Sequence, residues 1–190
     1  MSTLKANTIQ AATGTTVNVA SGQVLNAPGH VLQVQSTTKT DQTDIAVNIN
    51  SGYASYPVIM SVNITPKLVN SKILINYFIS GSSDQNNHMV STIRRTVGGT
   101  ATHPCLADSA TGFYQASTGT RGVGTNHFTI TQQGFQFLDS PNTTSTITYA
   151  IVGASEAANT WHINSNGNNS GSYDWSTRFT SSVTVMEIAQ

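Results

Sequence analysis

Residues 72–81 read Lys-Ile-Leu-Ile-Asn-Tyr-Phe-Ile-Ser-Gly, and this stretch indicates the fold of the chain. Its apolar residues Ile73, Ile75, Tyr77 and Ile79 occupy every second position, which places them on one face of a β-strand. Strands with one apolar face bury that face against a second sheet. The same period-two pattern recurs at Val58, Met60, Val62 and Ile64, and again at Ile147, Tyr149 and Ile151.

Nine segments from residue 30 onward read as strands, and no long helical stripe accompanies them. They cover residues 31–36, 43–49, 58–65, 72–81, 88–97, 126–138, 145–153, 160–164 and 178–188. Turn-forming runs such as Asn50-Ser51-Gly52 and Gly98-Gly99 separate them, and residues 100–125 read as one long loop. The pattern predicts an all-β fold, an antiparallel β-sandwich of jelly-roll type.

The first 29 residues differ from the rest of the chain. They contain one charged residue, no aromatic residue and only short β-like fragments broken by glycines and a Pro-Gly turn. Such a segment cannot bury enough of its own surface to fold alone. We therefore predict an N-terminal attachment arm over residues 1–29 and a β-sandwich domain over residues 30–190. The apolar residues expected to dock the arm on a particle are Leu4, Ile9, Val17, Val19 and Leu25.

The composition is polar but almost uncharged. Seventy-eight of the 190 residues are Ser, Thr, Asn or Gln, while eight are acidic, eight are basic and the net charge is zero. Disordered chains combine low hydrophobicity with high net charge, so this chain is expected to fold. A neutral surface repels its own copies weakly, which favours a subunit of a large assembly over a concentrated free monomer.

Catalytic, metal and nucleic-acid motifs are weak or missing. Arg94 and Arg95 are the only adjacent basic residues and point to opposite faces of a strand, so no nucleic-acid partner is expected. His88 and His127 lack a partner histidine two residues away, which argues against a metal site. Glu156 could act with Asp174 as a glycan-cleaving carboxylate pair, but solvated loop acids are the simpler interpretation. We predict no enzyme activity and no cofactor, and Cys105 reads as a small buried thiol.

The segment from Trp161 to Trp175 has the composition of a binding site. Trp161, His162, Tyr173 and Trp175 flank a run of Asn, Ser and Gly. Aromatic rings beside amide groups can hold sugars or anchor interfaces. Two interpretations remain open: a contact to a host cell-surface glycan or receptor, and tryptophans that fill the end of the sandwich or a subunit contact.

Several short motifs resemble one family. They are Met-Ser-Thr-Leu-Lys-Ala-Asn-Thr-Ile-Gln at 1–10, Gly-His-Val-Leu-Gln-Val-Gln-Ser-Thr-Thr-Lys-Thr-Asp at 29–41, Val-Asn-Ile-Thr-Pro at 62–66, Asn-Ser-Lys-Ile-Leu-Ile at 70–75 and Ser-Ser-Val-Thr-Val-Met-Glu-Ile-Ala at 181–189. Together they resemble the tail-fibre and virion-appendage proteins of marine tailed bacteriophages, notably those of cyanobacteria. The resemblance implies a homotrimeric virion component that attaches through its N-terminal segment. The long repetitive shaft of many such proteins is missing here.

We therefore predict a bacteriophage structural protein, a trimeric tail-fibre or short appendage subunit that is anchored by its arm and contributes to host attachment. The expected partners are further copies and other virion proteins of the tail, an adaptor or the capsid. The alternatives are a capsid decoration or head-fibre protein and a non-catalytic carbohydrate-binding module. The chain has no apolar run of signal-peptide or membrane-span length, so we expect synthesis in the host cytoplasm and location in the virion.

Overall fold

The structure is a computed structural model that describes residues 6, 9–25, 27–83, 86–122, 129–157, 159–167 and 176–190. Its regular secondary structure is β-strand apart from two single 3₁₀ turns, Ile49–Ser51 and Tyr53–Ser55. The predicted all-β class is confirmed. The strands of the described residues are β1 (Val31–Lys39), β2 (Thr43–Ile45), β3 (Val58–Ile64), β4 (Lys72–Ser83), β5 (His88–Val97), β6 (Thr100–Thr102), β7 (Thr118–Arg121), β8 (Ile130–Asp139), β9 (Ile147–Ser155), β10 (Trp161–Ile163) and β11 (Ser181–Ile188).

These strands form two antiparallel sheets, here called sheet A and sheet B. In sheet A, β8 pairs with one edge of β4, and β11 and β10 follow each other along its other edge. Beyond them, β1 pairs with β11 and β2 pairs with β10. In sheet B, β3 pairs with β9 and β9 with β5, whose other edge carries β6 and β7.

The strand order is that of a jelly roll. The pieces β1/β2, β6/β7 and β10/β11 each occupy one strand position, which leaves eight positions along the chain. Position one pairs with eight, two with seven, three with six and four with five. This is the pairing of one long hairpin wound into two sheets, the double Greek key of jelly rolls. The jelly-roll form of the sandwich is therefore confirmed as well.

The core lies between the inner faces of the two sheets. Ile73, Ile75, Tyr77 and Ile79 are at most 1% exposed, as the alternation of residues 72–81 predicts. The predicted inner face of β3 was wrong at Val58, which is 43% exposed. A β-bulge between residues 58 and 60 shifts the alternation, so that both of the next two residues are buried.

The predicted loop over residues 100–125 contains two short strands, β6 and β7. β6 forms a hairpin with β5 through Gly98 and Gly99, which both have positive φ. Its three residues are exposed, and no apolar alternation marks them in the sequence. Exposed three-residue and four-residue strands of this kind give no periodic signal, so the interpretation as a plain loop was wrong here.

Asn164 joins the broken ends of two strands in sheet A. It is fully buried, and its side-chain amide donates to the backbone oxygens of Lys39 (2.8 Å) and Asp41 (3.1 Å), between β1 and β2. Its Oδ1 accepts from Ser181 Oγ at 2.6 Å, where β11 begins. The residue has a φ of 60°, a conformation that asparagine tolerates better than most side chains. Asn164 therefore satisfies the backbone groups that the interrupted ladder leaves unpaired.

Replacing Asn164 with alanine is expected to lower the free energy of unfolding by about 3 kcal/mol, because buried polar partners lose their hydrogen bonds and alanine is strained at positive φ. Urea denaturation would measure this loss. The matched control is Asn142→Ala, since Asn142 also has positive φ (51°) but is exposed. This control measures the cost of the backbone strain alone, an expected loss of about 1 kcal/mol in the free energy of unfolding. Equal losses in the two variants would contradict the role of Asn164.

Candidate functional site

The N-terminal arm presents its apolar side chains to solvent. Ile9 is 72% exposed, Val17 53%, Val19 48% and Leu25 54%. Leu4, the remaining residue predicted to dock, lies outside the described residues. The root of the arm is fixed to the end of the last strand, since Gly29 N donates to the backbone oxygen of residue 189 at 2.8 Å. The described part of the arm contains no strand and contributes nothing to the core.

Trp161 belongs to the core and not to a surface platform. It is 1% exposed and packs in the main cluster between the sheets. A Cβ at Gly153 would lie 2.7 Å from its ring, so this glycine makes room for the indole. The expectation that Trp161 contacts a glycan is therefore corrected: in this fold the ring fills the sandwich, as the alternative interpretation stated.

The other three residues of the Trp161–Trp175 segment lie in different situations. His162 is 8% exposed, and its ring Nδ1 lies 2.8 Å from Asp44 Oδ1 on the neighbouring strand β2. Tyr173 and Trp175 lie outside the described residues. Ser165 and Arg178, which lie on either side of the residues that are not described, form an isolated antiparallel bridge. A glycan contact by Tyr173 and Trp175 stays a prediction.

The outer face of sheet A carries an apolar row that crosses four strands. Val34 pairs with Met186, Met186 with Leu74, and Leu74 with Leu138. Directly paired residues share a face, so the four side chains lie side by side at one level of β1, β11, β4 and β8. The two end members are well exposed, Val34 at 51% and Leu138 at 45%. Exposed apolar residues gathered in this way are typical of interaction sites.

The rest of this face is polar but nearly uncharged. Two residues further along each strand, the outward-facing side chains are hydroxyls and amides. Two residues beyond those, the outward-facing set includes Phe78, which is 55% exposed. Among the described outward-facing residues of β1, β11, β4 and β8, Lys72 is the only charged one. The two sets are Ser36, Thr184, Asn76 and Gln136, and then Thr38, Ser182, Phe78 and Gly134.

Sheet B differs, because the chain itself covers the outer face of β9. Ala150, Val152 and Ala154 point outward there and pack against Ile49 and Tyr56 of the segment between β2 and β3. The Tyr56 hydroxyl donates to the backbone oxygen of Ile49 at 2.9 Å and holds the segment in place. Within the described residues, the chain thus covers the apolar outer residues of β9, whereas Val34 and Leu138 on the outer face of sheet A stay exposed.

Two carboxylates, those of Glu187 and Glu156, make hydrogen bonds within the fold and so have structural roles. Glu187 is fully buried, and its oxygens accept from Gln33 Nε2 (2.7 Å), Ser71 Oγ (2.8 Å) and the backbone amides of Lys67 (2.8 Å) and Leu68 (3.1 Å). These donors leave its oxygens little capacity for a substrate. Glu156 accepts from the backbone amide of residue 88 at 3.1 Å. Asp174, its suggested catalytic partner, lies outside the described residues.

The described residues contain neither a cluster of metal-ligating side chains nor a membrane-crossing helix. No three His, Cys, Asp or Glu side chains come together there as a metal site would require. His88 is exposed and His127 lies outside the described residues. No helix in the described part of the chain has the length and apolar character needed to cross a membrane.

Comparison with known proteins gives distant structural similarities. No protein-family model and no curated protein matches the chain. Among solved structures, the chain is similar to one reported as the structure of infectious bursal disease virus Gt strain, with a TM-score of 0.45 and 14% identity. The crystal structure of the infectious bursal disease virus VP2 subviral particle gives 0.41 and 14%. Each comparison covers 92% of this chain but only 42% of the viral chain, so this chain spans about two fifths of their length.

Proposed function

We propose that this chain is a structural subunit of a bacteriophage virion, a homotrimeric tail-fibre or short appendage protein anchored by its N-terminal arm. One observation carries the proposal: the outer face of sheet A is bare, nearly uncharged and crossed by the apolar row Val34–Met186–Leu74–Leu138. The motif resemblance to phage appendage proteins supports the same role. Jelly rolls occur in viral capsid and lectin domains, so the fold is compatible with it.

The size of the bare face suits a subunit contact. The four strands are eight to twelve residues long. Over the length of the shortest of them, four strands that lie about 4.8 Å apart cover roughly 500 Å². With a partner surface of equal size, the contact buries roughly 1,000 Å², the lower bound of specific interfaces. A three-fold assembly is built from heterologous contacts, in which this face meets a different surface of the next copy. The β domain can therefore trimerise while the arm stays free.

The free arm then serves as the attachment segment. Its exposed apolar residues have no partner within the described chain, and its root is held at the end of β11. Burying a valine or leucine side chain contributes about 1.5–3 kcal/mol, so the four exposed arm residues can offset part of the cost of ordering the segment on a particle. We propose that the protein works by this binding and performs no catalysis.

The capsid decoration or head-fibre role differs from the tail role in location only. Antibodies raised against residues 30–190 and applied to purified particles of the phage that encodes this chain distinguish the two by immunogold microscopy. Label at the tail supports the appendage, and label over the head indicates decoration. Pre-immune serum is the control. Absence of the chain from purified particles by mass spectrometry would overturn the virion role and favour a free carbohydrate-binding module.

A further inference from the structure

An open cleft lies on the outer side of sheet B, away from the outer face of sheet A that carries the apolar row. Its volume is about 620 Å³, within the range of ligand pockets. The 3₁₀ turn that begins at Tyr53 forms one wall, and the outward residues Arg94 and Thr96 of β5 line it as well. Thr102 of β6 and His103, which follows it, close the other side.

Arg94 is a cation without a partner in this cleft. It is partly buried, yet it makes no ion pair or hydrogen bond with any described residue. Its neighbour Arg95 points to the inner side of β5 and is paired with Asp139, with Nη1 2.8 and 2.9 Å from the two carboxylate oxygens. A partly desolvated guanidinium is costly to leave unpaired. Arg95 is thus neutralised within the fold, whereas Arg94 is available to bind an external anion.

The surroundings of Arg94 supply no competing negative charge. No carboxylate is among the described residues that line the cleft. The His103 ring packs edge-on against Tyr53, with centroids 4.9 Å apart. Burial lowers the pKa of His103, and the nearby positive charge of Arg94 lowers it further. The cleft therefore combines one cation, an imidazole with a lowered pKa, an aromatic ring and the hydroxyl of Thr96.

We propose that this cleft binds the carboxylate of an acidic sugar residue, with the Arg94 guanidinium on the carboxylate and with Tyr53 and the Thr96 hydroxyl beside the pyranose. A guanidinium offers two parallel N–H donors that match a carboxylate. The ring and hydroxyl groups of the walls fit a polyhydroxylated ring better than a bare carboxylate, because they offer an apolar surface and hydrogen bonds together. This binding site goes beyond the assembly role and does not depend on it.

Calorimetric titration of the full chain tests the proposal. The probes are the methyl glycosides of glucuronic acid, galacturonic acid and N-acetylneuraminic acid, with methyl glucoside and methyl galactoside as neutral counterparts. We expect at least one acidic probe to bind at least tenfold more tightly than the neutral sugars, and Arg94→Gln to weaken it at least tenfold. A tenfold change is about 1.4 kcal/mol, the low end for a charge-assisted hydrogen bond. The control Arg121→Gln removes an exposed charge of β7 outside the cleft and should not change the affinity.

Four outcomes would overturn the proposal. The first is that no acidic probe binds, and the second is that Arg94→Gln binds the acidic probe as tightly as the native chain does. The third is that acetate or a peptide C-terminus competes as well as the sugar, which would make the cleft a general carboxylate or protein contact. The fourth is that Arg94→Gln alters the oligomeric mass, which would make it a subunit contact. The position of binding is checked by NMR, where the His103 ring resonances should shift with the acidic sugar in the native chain and not in Arg94→Gln. Sugar binding and assembly are measured separately, so either can fail alone.

Discussion

A double variant with Val34→Lys and Leu138→Lys is expected to be a folded monomer. Both positions lie at the exposed ends of the apolar row, so lysine can extend into solvent in the isolated subunit at little cost to folding. In the assembly each subunit would bury two unpaired ammonium groups and lose two apolar contacts. We expect each contact to weaken by at least about 3 kcal/mol, more than a hundredfold in affinity.

Light scattering would measure the dissociation, and circular dichroism would show that the β structure is retained. The matched control is Val69→Lys, because Val69 is 58% exposed but lies in the loop between β3 and β4, off the row. This control should assemble like the native chain. If the double variant kept its oligomeric mass at the same concentrations, the row would not be the subunit contact.

Replacing Glu187 with alanine is expected to have the largest effect on folding. Four donors converge on this carboxylate, which is 0% exposed, and they tie the β3–β4 loop and β1 to the inner side of β11. Without the carboxylate these donors lose their acceptor in a water-excluded site. The expected loss is about 3–5 kcal/mol, a large share of the stability of a domain of this size.

Urea denaturation of Glu187→Ala and Glu187→Gln separates the contributions. The side-chain amide that Glu187→Gln introduces keeps one acceptor oxygen but turns an N–H donor toward one of the existing donors, so we expect an intermediate loss of about 2 kcal/mol. Glu156→Gln is the control, since the Glu156 carboxylate accepts from one backbone amide at an exposed position and should cost less than about 1 kcal/mol. A loss in Glu187→Ala no larger than in this control would rule out a structural role for the buried carboxylate.

The sequence predicts the sandwich well where large apolar residues recur at every second position. They do so at Ile73, Ile75, Tyr77 and Ile79 of β4 and at Ile147, Tyr149 and Ile151 of β9, and all of these residues face the core. The pattern fails where the backbone departs from regular pairing, because a bulge at residues 58–60 shifts the side chains of β3 by one position. It fails again for β6 and β7, which are three and four residues long and contain no large apolar and no fully buried residue.

Trp161 shows why composition alone misplaced part of the candidate site. Its neighbours Asn, Ser and Gly are typical of a polar loop, so the segment resembles a sugar-binding site. A better signal was present: Trp161 and Ile163 are two residues apart and share the inner face of β10, and both are at most 1% exposed. The space for the indole comes from Gly153 of the opposite sheet, which local sequence does not reveal.

The proposed surfaces depend on contacts between distant parts of the chain. The apolar row takes one residue from each of four strands, and each of these residues sits at a position where an alternating strand usually has a polar side chain. Leu74 lies between two core isoleucines, and it is the only member of the row that stands out in the sequence of its own strand. The cleft needs β6 and the turn at Tyr53 beside Arg94, and neither was predicted.

The most direct test of the central claim is the oligomeric mass in solution, by light scattering, of the full chain and of a variant that lacks residues 1–27 and so keeps Gly29 and its hydrogen bond to β11. We expect a trimer in both, because the contact lies on sheet A and the arm is left free to attach the assembly to a particle. A monomer of 20.1 kDa for the full chain would contradict that expectation.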